Sequence, residues 1–112
     1  MSVEEILKTH PRPAIADLAV LARCIDECGD CEATCTVCAD ACDSTRRIVS
    51  RQTDPDPTTQ RAAVEACLAA CRASAEECER HAQHHEHCRL CAEECQRCVR
   101  ACEDLLAALS VG

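Results

Sequence analysis

The chain has 112 residues, a formal net charge of −8, 14 cysteines and no Phe, Tyr or Trp. That length makes one domain, residues 1–112, the default, and a core without aromatic area is marginal on its own. The acidic balance excludes a nucleic-acid partner, which needs a basic patch to displace counterions, and no apolar run of about 18 residues offers a membrane span.

Only two glycines and four prolines occur. Ala, Glu, Arg and Leu are frequent, so the expected class is all-α. In chain order, Ser2 can cap a short helix through Glu4, Glu5 and Leu7 that ends at His10-Pro11. Pro13 suits the first turn of a second helix. From Ala14 the pattern predicts one continuous helix to about Arg51. Gly29 weakens it by about 1 kcal/mol relative to Ala without ending it.

Thr53-Asp54-Pro55-Asp56-Pro57 reads as a linker. Thr58 or Thr59 then caps a helix from about Gln60 to Gln83, with the inward seam Val64, Cys67, Cys71, Ser74, Cys78, His81. His84-His85-Glu86-His87 reads as a tight turn, and the last helix runs from about Glu86 to Leu109. The short turn predicts antiparallel packing of the last two helices. The expected architecture is an antiparallel bundle of the four-helix type with a Cys-lined core, made of three long helices plus a short N-terminal one. Val64, Leu68, Leu105, Leu106 and Leu109, joined by Ile48 and Val49, would close one end. His81, His84, His85 and His87 would gather at the other.

The cysteines carry the chemistry. Cys24, Cys28, Cys31, Cys35, Cys38 and Cys42 follow one another at steps of three and four, as do Cys88, Cys91, Cys95, Cys98 and Cys102. That is the inward stripe of a helix, where leucine normally stands. One cysteine in a core passes as a small hydrophobe. Six successive seam positions without a Leu, Val or Ile do not. Disulfides fit poorly, because neighbours three or four apart on one helix match disulfide torsions badly and close almost no loop. Met1 to Pro13 lacks the apolar run of an export signal. The expected location is therefore the cytoplasm, where thiols stay reduced.

Thiols at i and i+4 have Cβ atoms about 5–6 Å apart and can converge on one small ion. Soft thiolates select Cu(I), Zn(II) or iron–sulfur clusters. Charge favours Cu(I): one monovalent ion neutralises one buried thiolate, whereas Zn(II) on four thiolates leaves a net negative site. The metal-free protein should keep its thiols protonated and release about one proton per thiolate on loading. The histidines are either solvated turn residues or a mouth of transient ligands for ions in passage. Cys67, near the aliphatic end, is the thiol that packing alone would explain most easily. No nucleophile, base and orienting group stand together, so no catalytic step is expected.

The segments CIDECGDCEATCTVCADAC (24–42), CRASAEECERHAQHHEHC (71–88) and CRLCAEECQRCVRAC (88–102) resemble the bacterial copper storage proteins, and the lack of an export signal resembles their cytosolic branch. The resemblance covers roughly residues 18–109. It implies a four-helix bundle that binds many Cu(I) ions, with all fourteen cysteines as core ligands: Cys24, Cys28, Cys31, Cys35, Cys38, Cys42, Cys67, Cys71, Cys78, Cys88, Cys91, Cys95, Cys98 and Cys102. The family's histidines at the open end fall on His81, His84, His85 and His87.

Two departures stand out. Ser74 occupies a thiol position, and the family's second cysteine-bearing helix is missing, as if DACDSTRRIVSRQT (40–53) joined the end of that helix directly to the first. Either the short N-terminal helix completes the bundle, or the first helix breaks near Gly29, or two chains complete each other's core; the overhanging Leu18, Val20 and Leu21 favour the last, which predicts a homo-oligomer, a dimer or a tetramer. The leading expectation is a cytosolic Cu(I) store supplied by a copper chaperone. The alternatives are a [4Fe–4S] cluster protein and a zinc or cadmium buffer.

Overall fold

The computed structural model describes Val3 and residues 18–35, 38–50, 56–83 and 85–111. Four helices follow in order: α1 Leu18–Thr34, α2 Ala39–Val49, α3 Pro57–His81 and α4 Glu86–Val111. Val3 is helical and packs on the core; the rest of the expected N-terminal helix, His10 included, lies outside the described residues, as does the linker before Asp56.

The continuous helix from Ala14 to Arg51 is not what forms. The chain breaks between Thr34 and Ala39 rather than at Gly29, and α2 folds back along α1. Locally, Thr34-Cys35-Thr36-Val37 places three β-branched residues in four, and these lose side-chain freedom in a helix. The last turn of α1 still closes, with the Cys35 amide donating to the Cys31 carbonyl at 2.8 Å. Cys38 then opens α2 at φ −105°, ψ 9°, without a side-chain cap. Packing provides the larger reason: the fold-back turns one long thiol stripe into two facing stripes. No helix is missing, because α2 is the second cysteine-bearing helix in a short form. The fourth rail is α2, not the N-terminal segment.

Each helix packs on two neighbours, in the ring α1–α2–α3–α4–α1. Every neighbouring pair is antiparallel, as the cross-links require. Arg23 Nη1 lies 2.8 Å from Asp104 Oδ2 across α1 and α4. Thr45 Oγ1 donates to the Ala63 carbonyl at 3.1 Å across α2 and α3. Arg72 Nη2 reaches Glu103 Oε2 at 2.8 Å across α3 and α4. Arg46 Nη2, 2.7 Å from Asp43 on its own helix, also reaches Glu32 of α1 at 3.3 Å. Such half-exposed ion pairs contribute little each; they report register.

α3 begins earlier than the sequence suggests. Pro57, with its φ already helical, occupies the first turn, and the cap is Asp56 rather than Thr58 or Thr59. Its carboxylate accepts from the Thr58 amide at 3.1 Å and the Thr59 hydroxyl at 2.6 Å. α4 runs two residues past Leu109.

The two ends differ as expected. Leu21, Val49, Val64 and Leu105 are fully buried, with Leu68 and Leu109 nearly so. Val49 joins this plug while Ile48 stays half-exposed. Leu21 is buried within the chain, and Leu18 and Val20 pack against the core. The overhang that called for a second copy is thereby removed. At the opposite end α3 and α4 continue past the α1–α2 bend. Cys35 meets Ser74 and Cys38 meets Cys95, so α3 projects about 10 Å further, at 1.5 Å per residue.

Candidate metal centre

The predicted seam positions converge. All fourteen cysteines are free, thirteen are buried, and Cys88 is half-exposed at the open end. On α1 and α4 the thiols recur every three or four residues and keep to one face; α3 keeps Cys67, Cys71 and Cys78 on one face with Ser74 between, and α2 adds Cys42 behind its N-cap Cys38. α1 and α4 meet through Cys28–Cys98 at 3.8 Å and Cys31–Cys95 at 3.9 Å. α2 and α3 meet through Cys42–Cys71 at 3.6 Å and Cys42–Cys67 at 3.8 Å. Sulfur also crosses the bundle diagonally, Cys28–Cys67 at 3.8 Å and Cys31–Cys71 at 3.9 Å. Cys67 thus touches thiols of three helices, Cys28, Cys42 and Cys71, as well as lying near the aliphatic end.

Sets of thiols come within 4.8 Å of one another: Cys28, Cys67, Cys98 and Cys102; Cys31, Cys38, Cys42 and Cys71; Cys35, Cys38 and Cys95; Cys35, Cys78 and Cys91. A metal–sulfur bond of about 2.3 Å sets the sulfurs of a trigonal site about 4.0 Å apart, so the spacings suit single ions held by three thiolates. Because one cysteine serves in two sets, a bound ion would share ligands with its neighbour.

The thiols share protons unevenly. Thiol donors at Cys102 and Cys28 pull Cys24 down to about 5, and Cys42 is held down at about 6, first by Cys28. The donors themselves are pushed up: Cys28 chiefly by Cys102, and Cys98 likewise by Cys102. The buried thiols of the metal-free core thus share their protons through S–H···S contacts rather than titrating independently. Burial raises Cys78 and Cys91.

At the open end a cavity of about 240 Å³ is lined by Cys35, Glu77, Cys78, His81, His87, Cys88 and Cys91. Two of the four predicted histidines thus face it, His81 with Nε2 3.3 Å from Glu77. His85 is exposed on the turn, and His84 lies outside the described residues. Sequence reasoning missed Glu77, although it stands one turn before His81. It also missed Glu94, only 5% exposed on the α1–α4 seam. Burial first, and then Glu27, raises the Glu94 carboxyl to about 7, against the pull of Arg97 Nε 3.4 Å away.

The model of the copper storage protein family matches residues 15–107. The chain belongs to this family. It is similar to the copper storage protein Ccsp from Streptomyces lividans loaded with 10 copper equivalents, at 37% identity and a TM-score of 0.91, covering 96% of this chain and 99% of that one. A histidine-to-alanine mutant of Ccsp is similar at 38% identity and a TM-score of 0.82, covering 84% of this chain and 98% of that one. So is a cytosolic copper storage protein from Streptomyces lividans with five coppers, at 39% identity and a TM-score of 0.77, covering 80% of this chain and 93% of that one. Curated proteins gave no match.

The iron–sulfur alternative finds no support in a copper storage family, and the geometry opposes it. A cubane bonds one cysteine at each iron and holds those sulfurs apart by its own width. Thiols packed 3.6–3.9 Å from one another leave no such space.

Proposed function

We propose that this copper storage family member holds its cargo as multiple Cu(I) ions on the core thiolates of Cys24 through Cys102, at close to one thiolate per ion, with no catalytic step. The observation that carries this is the continuous set of shared thiol groups inside the ring of helices. Each entering Cu(I) displaces about one thiol proton, so the buried core fills without gathering charge. The aliphatic plug of Leu21, Val49, Val64 and Leu105 keeps one end dry. The thiols and imidazoles of the other end take ions in and let them out, with His81 and His87 at the rim and His85 just before α4. The same reading places the store in the cytoplasm, as with the Streptomyces lividans relative, with a copper chaperone as donor and self-association of the chain.

Anaerobic Cu(I) titration against a competing chelator tests this, with a parallel Zn(II) competition. Uptake close to the thiol count, with Cu(I) displacing Zn(II), is expected. Saturation at one or two ions, or retention of Zn(II) against Cu(I), would refute storage of copper. Light scattering that finds a monomer both with and without copper would remove self-association alone.

A further inference from the structure

The bend between Thr34 and Ala39 creates a thiol pair that a straight helix could not. Cys31 is the last thiol of α1, and Cys38, seven residues on, caps α2. On one continuous helix they would stand about 10 Å apart along the axis. The bend instead brings Cys31 Sγ to 3.1 Å from Cys38 Sγ. Sulfur contacts between other helices are 3.6–3.9 Å.

A disulfide needs Cβ atoms about 3.5–4.5 Å apart and a sulfur–sulfur bond of about 2.05 Å. Thiols four apart on one helix have Cβ atoms about 5–6 Å apart, which is too far; Cys38–Cys42 and Cys67–Cys71 are of this kind, with their sulfurs at 3.9 Å. Cys31 and Cys38 come from two segments that face each other, and about 1 Å of approach closes the bond.

Both residues are buried, at 0% and 1% exposure, so a bulky oxidant cannot reach them. The cavity at the open end stops one thiol short of the pair: Cys35 lines it and also groups with Cys38 and Cys95. Its volume of about 240 Å³ is below the roughly 300 Å³ at which pockets for small organic molecules begin. It is ample for hydrogen peroxide.

We propose that Cys31 and Cys38 are a peroxide-oxidisable dithiol in the metal-free protein, and that their reversible disulfide withdraws copper-binding capacity. The second half rests on the storage reading above. Cys38, nearer the cavity, reacts first. Its sulfur bonds one peroxide oxygen as the O–O bond breaks, and the departing hydroxide takes the thiol proton as water. Cys31 sulfur then attacks the sulfenic acid on Cys38. The S–S bond forms, the S–O bond breaks, and the second hydroxide leaves as water with the Cys31 proton. Two thiols are oxidised and one peroxide is reduced to two waters. Cys31 and Cys38 both belong to the set with Cys42 and Cys71, and Cys38 also to that with Cys35 and Cys95. One disulfide therefore depletes two sets, and a dithiol reductant restores them.

The test treats reduced, metal-free, full-length protein with equimolar hydrogen peroxide under nitrogen, followed by catalase, alkylation and cleavage after glutamate. Cleavage after Glu32 separates Cys31 from Cys38, so their disulfide appears as linked peptides. That link should form first and revert with dithiothreitol. Cys31→Ser and Cys38→Ser should each abolish it, with far-UV circular dichroism checking the fold. In Cys31→Ser, dimedone should trap a sulfenic acid at Cys38. Cys71→Ser, which removes another thiol of the same set, should keep the link. A first disulfide between any other pair, no disulfide at all, or a link formed as readily by glutathione disulfide would overturn the proposal.

Anaerobic Cu(I) titration reads the consequence. The linked protein should bind about two ions fewer than the reduced protein, at one thiolate per ion, and recover them after reduction. Unchanged capacity in the linked protein would overturn the withdrawal of capacity. Saturation of the reduced protein at one or two ions would overturn storage and leave the dithiol standing.

Discussion

Single residues at the edges of the sulfur ladder determine how tightly the helices close around it. Gly29 sits where Arg46 of α2 crosses α1, yet a Cβ there would meet Arg46 Cδ at 3.6 Å, an ordinary contact, and its φ is not positive. Gly29→Ala should therefore stabilise the metal-free protein by about 0.5–1 kcal/mol through helix propensity, read as a higher urea midpoint at unchanged slope. A loss of stability would mean that α1 and α2 approach more closely than this.

Glu94 works in the other direction. Its folded carboxyl is raised from 4.5 to about 7 by burial and then by Glu27, with Arg97 opposing. The folded state thus holds a proton that the unfolded state gives up. The contribution of Glu94 is fully present below about pH 4.5 and is lost as pH rises through 7. Glu94→Gln should accordingly gain stability over wild type between about pH 5 and pH 8 in metal-free denaturation curves; equal pH dependence in the two proteins would contradict this. Neither the burial of Glu94 nor its pairing with Glu27 could be read from the chain. Both depend on how α1 lies against α4, and in the sequence Glu94 is one acid among twenty.

Among the elements, local order was legible and the fold-back was not. The steps of three and four identified the inward face of every helix correctly, because periodicity is a local property. The same unbroken step across Cys35 and Cys38 disguised the bend. A register that continues through a turn looks like a helix that continues, and only the three β-branched residues at 34–37 hinted otherwise. What fixes the bend is tertiary: α2 must return so that Cys42 can meet Cys67 and Cys71. The aliphatic plug was legible from its clustered Leu and Val. It carries the hydrocarbon part of a core otherwise built of small thiols. Leu105→Ala, at a fully buried position, should cost about 2–4 kcal/mol in urea unfolding of the metal-free protein. A cost below about 1 kcal/mol would mean that the plug can collapse around the gap. At the open end the sequence supplied the histidines, but their orientation depends on the exact end of α3; among the described residues, His81 and His87 line the cavity.

For the whole molecule, the governing quantity is charge. A net charge of −8 keeps the chain soluble, but it does nothing for fourteen thiols enclosed by helices. Their core is held in the metal-free state by shared protons and in the loaded state by shared cations. Loading should therefore raise the thermal midpoint steeply with each added ion, since the ions bind the folded thiol groups far better than scattered ones; a midpoint indifferent to copper would contradict this. Native mass spectrometry of protein loaded anaerobically with Cu(I) tests the central claim most directly. A series ending close to fourteen ions is expected, each adding the mass of copper less one proton. A series that stops at one or two ions, or a loaded mass that includes iron and sulfide, would contradict it.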